Sequence, residues 1–80
     1  MVLPKAAKTI KAIDRRYVGK ILDRLTLLES DPRHHGSIKL SGVENSYRTR
    51  VGMYRIVYKI FDEKITVVVV DIDHRKDIYR

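Results

Sequence analysis

Four arginines stand in the second half of the sequence at spacings that can build a phosphate site. Arg48 and Arg50 are two residues apart, Arg55 follows Gly52-Met53, and Arg75 closes a long β-branched run. Residues at i and i+2 share one face of a strand, and a tight turn brings the start of the next strand beside the end of the previous one. Guanidinium groups are planar, permanently charged and bidentate toward phosphate, so such a cluster suits a phosphodiester and the added negative charge of its transition state. Tyr79 lies four residues beyond Arg75, where its phenol can stack on a base or pass a proton. His74 can titrate near neutrality as acid or base, and the sequence leaves the choice between His74 and Tyr79 open. Lys39 and Lys76 are further cations able to touch an RNA backbone. Taken singly, each arginine fits an ordinary surface ion pair, Arg75 with Asp71, Asp73 or Asp77, worth about 0 to 1 kcal/mol. Taken together they favour a site, with no acidic cluster expected to neutralise them. The pair His34-His35 sits in a Gly-containing loop without nearby carboxylate or thiolate ligands and reads as solvated, so no metal or other cofactor is assigned.

These side chains need a scaffold. Pro4 suits a first helical position, and Ala7, Ile10 and Ile13 recur at helical spacing opposite Lys5, Lys8 and Lys11. Asp14 is an N-cap candidate for a second helix whose stripe of Val18, Ile21, Leu22, Leu25 and Leu28 runs until Ser30-Asp31-Pro32. Gly19 inside that helix, unfavourable by about 1 kcal/mol relative to Ala, suggests a close helix-helix contact. After Pro32 the period changes. Residues 33–37 are loop, Ile38-Lys39-Leu40 is a short extended piece, and from Tyr47 the period is two. Arg48 and Arg50 then oppose Tyr47, Thr49 and Val51. Beyond Gly52-Met53 the faces divide into Tyr54, Ile56, Tyr58 and Ile60, directed at the helices, and Arg55, Val57, Lys59 and Phe61 on the other side. Asp62-Glu63-Lys64 is a turn. Ile65 to Ile72 is almost continuously β-branched, as in a central strand covered on both faces. The expected order is two helices followed by a three-stranded antiparallel meander, an α+β fold in one domain spanning residues 1–80.

Eighty residues, 44% hydrophobic and 34% charged, exclude a second domain and leave a thin core. The absence of cysteine excludes a disulfide framework and a thiolate zinc site. No apolar run approaches the roughly 18 residues of a membrane span, and Met1-Val2-Leu3-Pro4-Lys5 is unlike a signal peptide, so a cytoplasmic protein is expected. The formal charge of +7 points to polyanionic partners, without saying what is done to the polymer.

The run Leu40-Ser41-Gly42, the stretch Tyr47-Arg48-Thr49-Arg50-Val51-Gly52-Met53-Tyr54-Arg55-Ile56-Val57-Tyr58 and the closing His74-Arg75-Lys76-Asp77-Ile78-Tyr79 together resemble the RelE/ParE toxin superfamily, closer to its RelE-like members. The resemblance implies a microbial RNase fold, a two-helix hairpin on a small antiparallel sheet, here with the first strand short or missing because only Met1-Val2-Leu3 precede Pro4. It further implies a type II toxin-antitoxin toxin: a ribosome-dependent, metal-independent endoribonuclease that cuts messenger RNA in the ribosomal A site and inhibits translation. Its implied partners are an acidic RelB-like antitoxin, held in a hetero-oligomer, together with ribosome and messenger. By the same resemblance Arg48 and Arg50 contact and activate the messenger backbone, Arg55 holds the scissile phosphate, Arg75 stabilises it in the transition state, and Tyr79 stacks on or protonates near the cleaved nucleotide. The alternatives are a ParE-like inhibitor of DNA gyrase and a basic nucleic-acid-binding module without activity.

Overall fold

The computed structural model describes residues 1–64 and 66–74. Helix α1 spans Pro4–Ala12 and α2 spans Arg15–Ser30. Proline at the start of α1 gives up an N–H that has no helical partner there anyway. Asp14 caps α2: its carboxylate accepts the backbone N–H of Arg16 at 2.9 Å and also binds that residue's guanidinium. Strands β1 (Ile38–Lys39), β2 (Ser46–Val51), β3 (Tyr54–Phe61) and β4 (Thr66–His74) form one sheet in the order β1-β2-β3-β4, antiparallel throughout, with a 3₁₀ turn at Asp62–Lys64. The extended piece at Ile38 thus joins the meander as a fourth strand.

One sheet face is apolar and meets both helices. Ile56, Tyr58, Ile60, Val69 and Ile72 pack with Ala6, Ile13, Ile21 and Leu28, while Tyr17, Val18 and Leu25 close the margins. Full burial of side chains such as Ile21, Leu28, Ile56 and Ile72 contributes about 1.5 to 3 kcal/mol each. Tyr58 brings a phenol into this core; it donates to the Pro32 carbonyl at 2.6 Å, and burial raises its pKa. Leu22 lies outside the core at 48% exposure, so the apolar stripe of α2 is narrower than its sequence indicates.

Two expectations are corrected. Strand β4 is not covered on both faces: only Val69 and Ile72 are buried, and among the described residues the sheet's second face carries no helix. Its β-branched run reflects strand propensity on a half-open surface, and a bulge where Val57 pairs Asp71 but Tyr58 pairs Val69 adds Val70 to the count. Nor is β4 central. Among the described residues its outer edge is met only by the chain start, where Val2 bridges Val69 in parallel and Leu3 N–H donates to the Val69 carbonyl at 2.9 Å. The chain start thus adds one parallel bridge to this edge. The second correction concerns Gly19, where a Cβ would meet nothing within 4 Å, so no close packing requires it.

Gly52 is different. It takes φ +58 in the β2–β3 turn, and a Cβ there would lie 3.3 Å from the Tyr17 ring. Positive φ and the near approach of α2 both favour glycine. Arg33, after α2, is forked onto the Asp62 carboxylate at 2.8 and 3.0 Å and lies over the Tyr47 ring, tying the loop to the far end of the sheet.

Candidate functional site

Register decides which arginines meet. Arg48 pairs Val57 and Arg50 pairs Arg55 across β2 and β3, so all three arginines leave the sheet on the face opposite the helices. Tyr54, Ile56, Tyr58 and Ile60 take the helix side, as the alternation in sequence requires. Arg50 is exposed, whereas Arg48 and Arg55 are half-buried, with Arg48 Nη1 and Arg55 Nε shielded from solvent and without hydrogen-bond partners. Among the described residues none of the three forms an ion pair. Arg50 and Arg55 directly oppose each other, a like-charge contact that disfavours the empty sheet face and favours an anion upon it.

An acidic pair shares this face, contrary to expectation. Asp73 lies across from Arg55, and Asp71 across from Val57. Asp71 bonds Lys5 of α1 at 3.2 Å and accepts the Ile72 N–H at 2.9 Å. Burial raises the Asp73 pKa, and the charge and hydrogen bond of Asp71 raise it further, against the opposing pull of Lys5 and Arg55. The alternation Asp71-Ile72-Asp73 is readable in the sequence, but only the register with β3 sets it beside Arg55.

The remaining candidates divide. His74 pairs Tyr54 and packs edge-on against its ring, 5.1 Å between centroids, so the structure places it on the helix side at the end of β4 and not with the arginines. Lys39 pairs Tyr47 and is likewise on the face opposite Arg48, exposed at the sheet edge. Arg75, Lys76 and Tyr79 lie outside the described residues. No three His, Cys, Asp or Glu side chains gather as a metal site among the described residues, and no described helix is long and apolar enough to cross a membrane.

His34 is not solvated, in contrast to the expectation for the His34-His35 loop. It is 8% exposed, and its Nε2 lies 3.0 Å from the Thr49 hydroxyl and 3.3 Å from Arg24 Nη1. Nδ1 of the same ring is buried without a hydrogen-bond partner. The same Nη1 donates to the Thr49 hydroxyl and, at 3.1 Å, to the Arg50 carbonyl. No local spacing announces this network, because its members come from α2, the following loop and β2.

The comparisons with known proteins agree with this architecture. The family model described as ParE toxin of type II toxin-antitoxin system, parDE, matches residues 1–79. Toxin RelG of Mycobacterium tuberculosis (strain ATCC 25618 / H37Rv) is 40% identical over 53 residues, 66% of this chain and 61% of that toxin, so the match spans under two thirds of the relative's length. The toxin-antitoxin complex RelBE2 of Mycobacterium tuberculosis contains a chain similar at TM-score 0.80 and 26% identity, covering 94% of both chains. The fold is also that of the RelB-RelE complex of Methanococcus jannaschii, at TM-score 0.82 and 23% identity with 99% of this chain and 94% of that one covered. Isolated RelE of E. coli gives TM-score 0.79 at 24% identity, with coverage of 98% and 86%. With a family model spanning almost its whole length and the two-helix, four-stranded fold those toxins share, the chain belongs to the ParE toxin family of type II toxin-antitoxin systems, within the RelE/ParE superfamily.

Proposed function

We propose that this toxin is an endoribonuclease that cuts messenger RNA on the ribosome and so arrests translation in the cytoplasm. One observation carries the reading: Arg48, Arg50 and Arg55 share an open sheet face, none of them ion-paired among the described residues, with Arg50 directly opposite Arg55. Such a face binds a phosphodiester and gains most where negative charge grows, at the phosphorus in the transition state. In the reaction the ribose 2′-oxygen bonds to the adjacent phosphorus while the bond to the 5′-oxygen breaks. The 2′-hydroxyl loses its proton and the departing 5′-oxygen gains one, leaving a 2′,3′-cyclic phosphate and a 5′-hydroxyl. Arg55 holds the scissile phosphate, Arg48 and Arg50 grip the backbone beside it, and Arg75 and Tyr79 complete the set as phosphate ligand and as stacking or proton-transferring group. His74 is not assigned a role in proton transfer, since its side chain leaves the sheet on the other face. The ribosome supplies the in-line geometry of the 2′-hydroxyl, which the Asp73 carboxylate across from Arg55 does not set by itself, and free RNA is cut poorly.

The natural partner is an acidic RelB-like antitoxin. RelE chains of the same fold occur with RelB in the complexes from Methanococcus jannaschii and E. coli, and the +7 charge of this chain complements an acidic protein. A second reading, inhibition of DNA gyrase, is favoured by the ParE name of the matching family. Primer extension on messenger from a translation reaction, run beside a DNA supercoiling assay, separates the two. Discrete messenger cuts with intact gyrase activity are expected. Uncut messenger with loss of supercoiling overturns the RNase reading in favour of gyrase.

A further inference from the structure

Between α2 and the β2–β3 hairpin lies a cleft of about 400 Å³ whose walls include Lys20, Asp23 and Arg24 from the helix and Arg50 and Gly52 from the hairpin. Strand β1 covers the edge of β2 only opposite Tyr47 and Arg48. Farther along, at Arg50, the edge carbonyl is taken by the Arg24 guanidinium instead of by a strand. Arg24 is fixed there: its Nη1 alone meets the Arg50 carbonyl, the Thr49 hydroxyl and His34 Nε2, and none of these acceptors is a carboxylate. Lys20 and Arg50 are exposed, and neither they nor Arg24 is ion-paired among the described residues, although Asp23 shares the wall. Lys20 and Arg24, the latter a guanidinium held by a partly buried network, stand against the single acid Asp23 and make a site for a compact anion.

We infer that this cleft is a second phosphate subsite, taking a phosphodiester of the same RNA strand that the open sheet face holds. Arg24 is its fixed ligand, Lys20 its solvent-side ligand, and Arg50, whose carbonyl holds Arg24 while its side chain stands on the open face, connects the two subsites. A protein carboxylate is the less suited occupant. Of the apolar side chains on the wall only Leu27 is exposed, Val51 being buried, which leaves little apolar side chain for a partner helix. Identifying the ligand as RNA rests on the nucleic-acid reading above, but occupancy does not require cleavage.

The test measures binding of a short 2′-O-methyl RNA, which cannot be cut because its 2′-oxygen is blocked, by fluorescence anisotropy across a salt series. Each phosphate contact to a single strand contributes about 0.7 to the slope of log affinity against log salt. Lys20→Gln is expected to reduce that slope by about 0.7, whereas Lys8→Gln, on the exposed side of α1, leaves it unchanged. Arg24→Lys keeps the charge and loses the fork, so affinity falls with the slope retained; Lys20→Gln decides alone if that variant does not fold. In a second measurement the amide resonances of Val51 and Gly52 shift on adding the same RNA. Slopes for Lys20→Gln and Lys8→Gln that coincide overturn the subsite, and so does a shift of those amides by an acidic peptide but not by RNA. Messenger cleavage by the wild type, assayed separately, reports on the proposed reaction. Cleavage with coincident slopes removes only the subsite, while a reduced slope without cleavage removes only the reaction.

Discussion

Arg55 is the side chain on which the proposed chemistry and the stability of the empty fold pull in opposite directions. It faces Arg50 across the β2–β3 ladder, and its Nε is shielded without a partner, so in the free protein repulsion and an unmet donor offset its attraction to Asp73 on the other side. Replacing it by Ala is therefore expected to leave the melting temperature unchanged or slightly raised. Cleavage on the ribosome should fall roughly 100- to 1,000-fold, about 3 to 4 kcal/mol of lost transition-state stabilisation. Loss of cleavage accompanied by loss of folding would contradict this assignment. Asp73 supplies a pH signature on the same face. Its folded-state pKa lies above the ordinary 3.8 because of burial first and Asp71 second. Above 3.8 the unfolded chain has released a proton that the folded chain still binds, so this residue makes stability fall as pH rises through the mildly acidic window. Asp14 and Asp62 act in the other sense, since Arg16 and Arg33 hold their pKa values down and their contributions fade as pH drops. Melting temperatures of wild type and Asp73→Asn should therefore diverge with rising pH in favour of the variant, and parallel curves would refute the effect.

Two glycines test the elements that carry these residues, and they respond oppositely to the same substitution. Gly19 is exposed in the middle of α2 with open space where a Cβ would go. Gly19→Ala should stabilise by about 1 kcal/mol, raising the melting temperature by roughly 4 to 8 °C. Gly52→Ala meets both a left-handed backbone and the Tyr17 ring, so a loss of about 1 to 2 kcal/mol is expected. Because that turn sets the register placing Arg50 opposite Arg55, Gly52→Ala should lower cleavage as well as stability, whereas Gly19→Ala should leave cleavage intact. Thermal melts combined with primer extension read both.

At the scale of the whole molecule, the two helices and four strands of the described residues enclose one core, and among those residues the sheet's second face is left without a helix. Seven net positive charges repel one another, and the margin over conformational entropy for a domain of this size is a few kcal/mol. A partner that binds only the folded chain adds about 2.7 kcal/mol at 100 times its dissociation constant. An antitoxin that binds only the folded chain should accordingly raise the melting temperature by roughly ten degrees on co-purification. An unchanged melting temperature in the complex would remove the coupling of stability to that partner.

Local physics wrote much of this molecule plainly. Pro4, Asp14 and Pro32 mark helix ends by what their backbones and side chains can and cannot bond, and the two-residue alternation from Tyr47 to Phe61 by itself divides the sheet into an apolar and a cationic face. The arginine cluster is legible for the same reason, since side-chain direction in a strand follows from parity alone. What the sequence leaves open depends on which distant segments meet. The unbroken valines of β4 look the same whether one face or two are covered, and only the count of helices available to cover the sheet decides it. His34 is a loop residue by every local sign, yet it is buried because α2 and β2 close over it and offer Arg24 and Thr49 as partners. His74 is one residue from Arg75 in sequence but lies on the helix side of the sheet, because parity counted from β3 through a bulge is not visible in β4 by itself. Asp73 likewise becomes the neighbour of Arg55 only through pairing between strands, a contact that chain spacing does not encode.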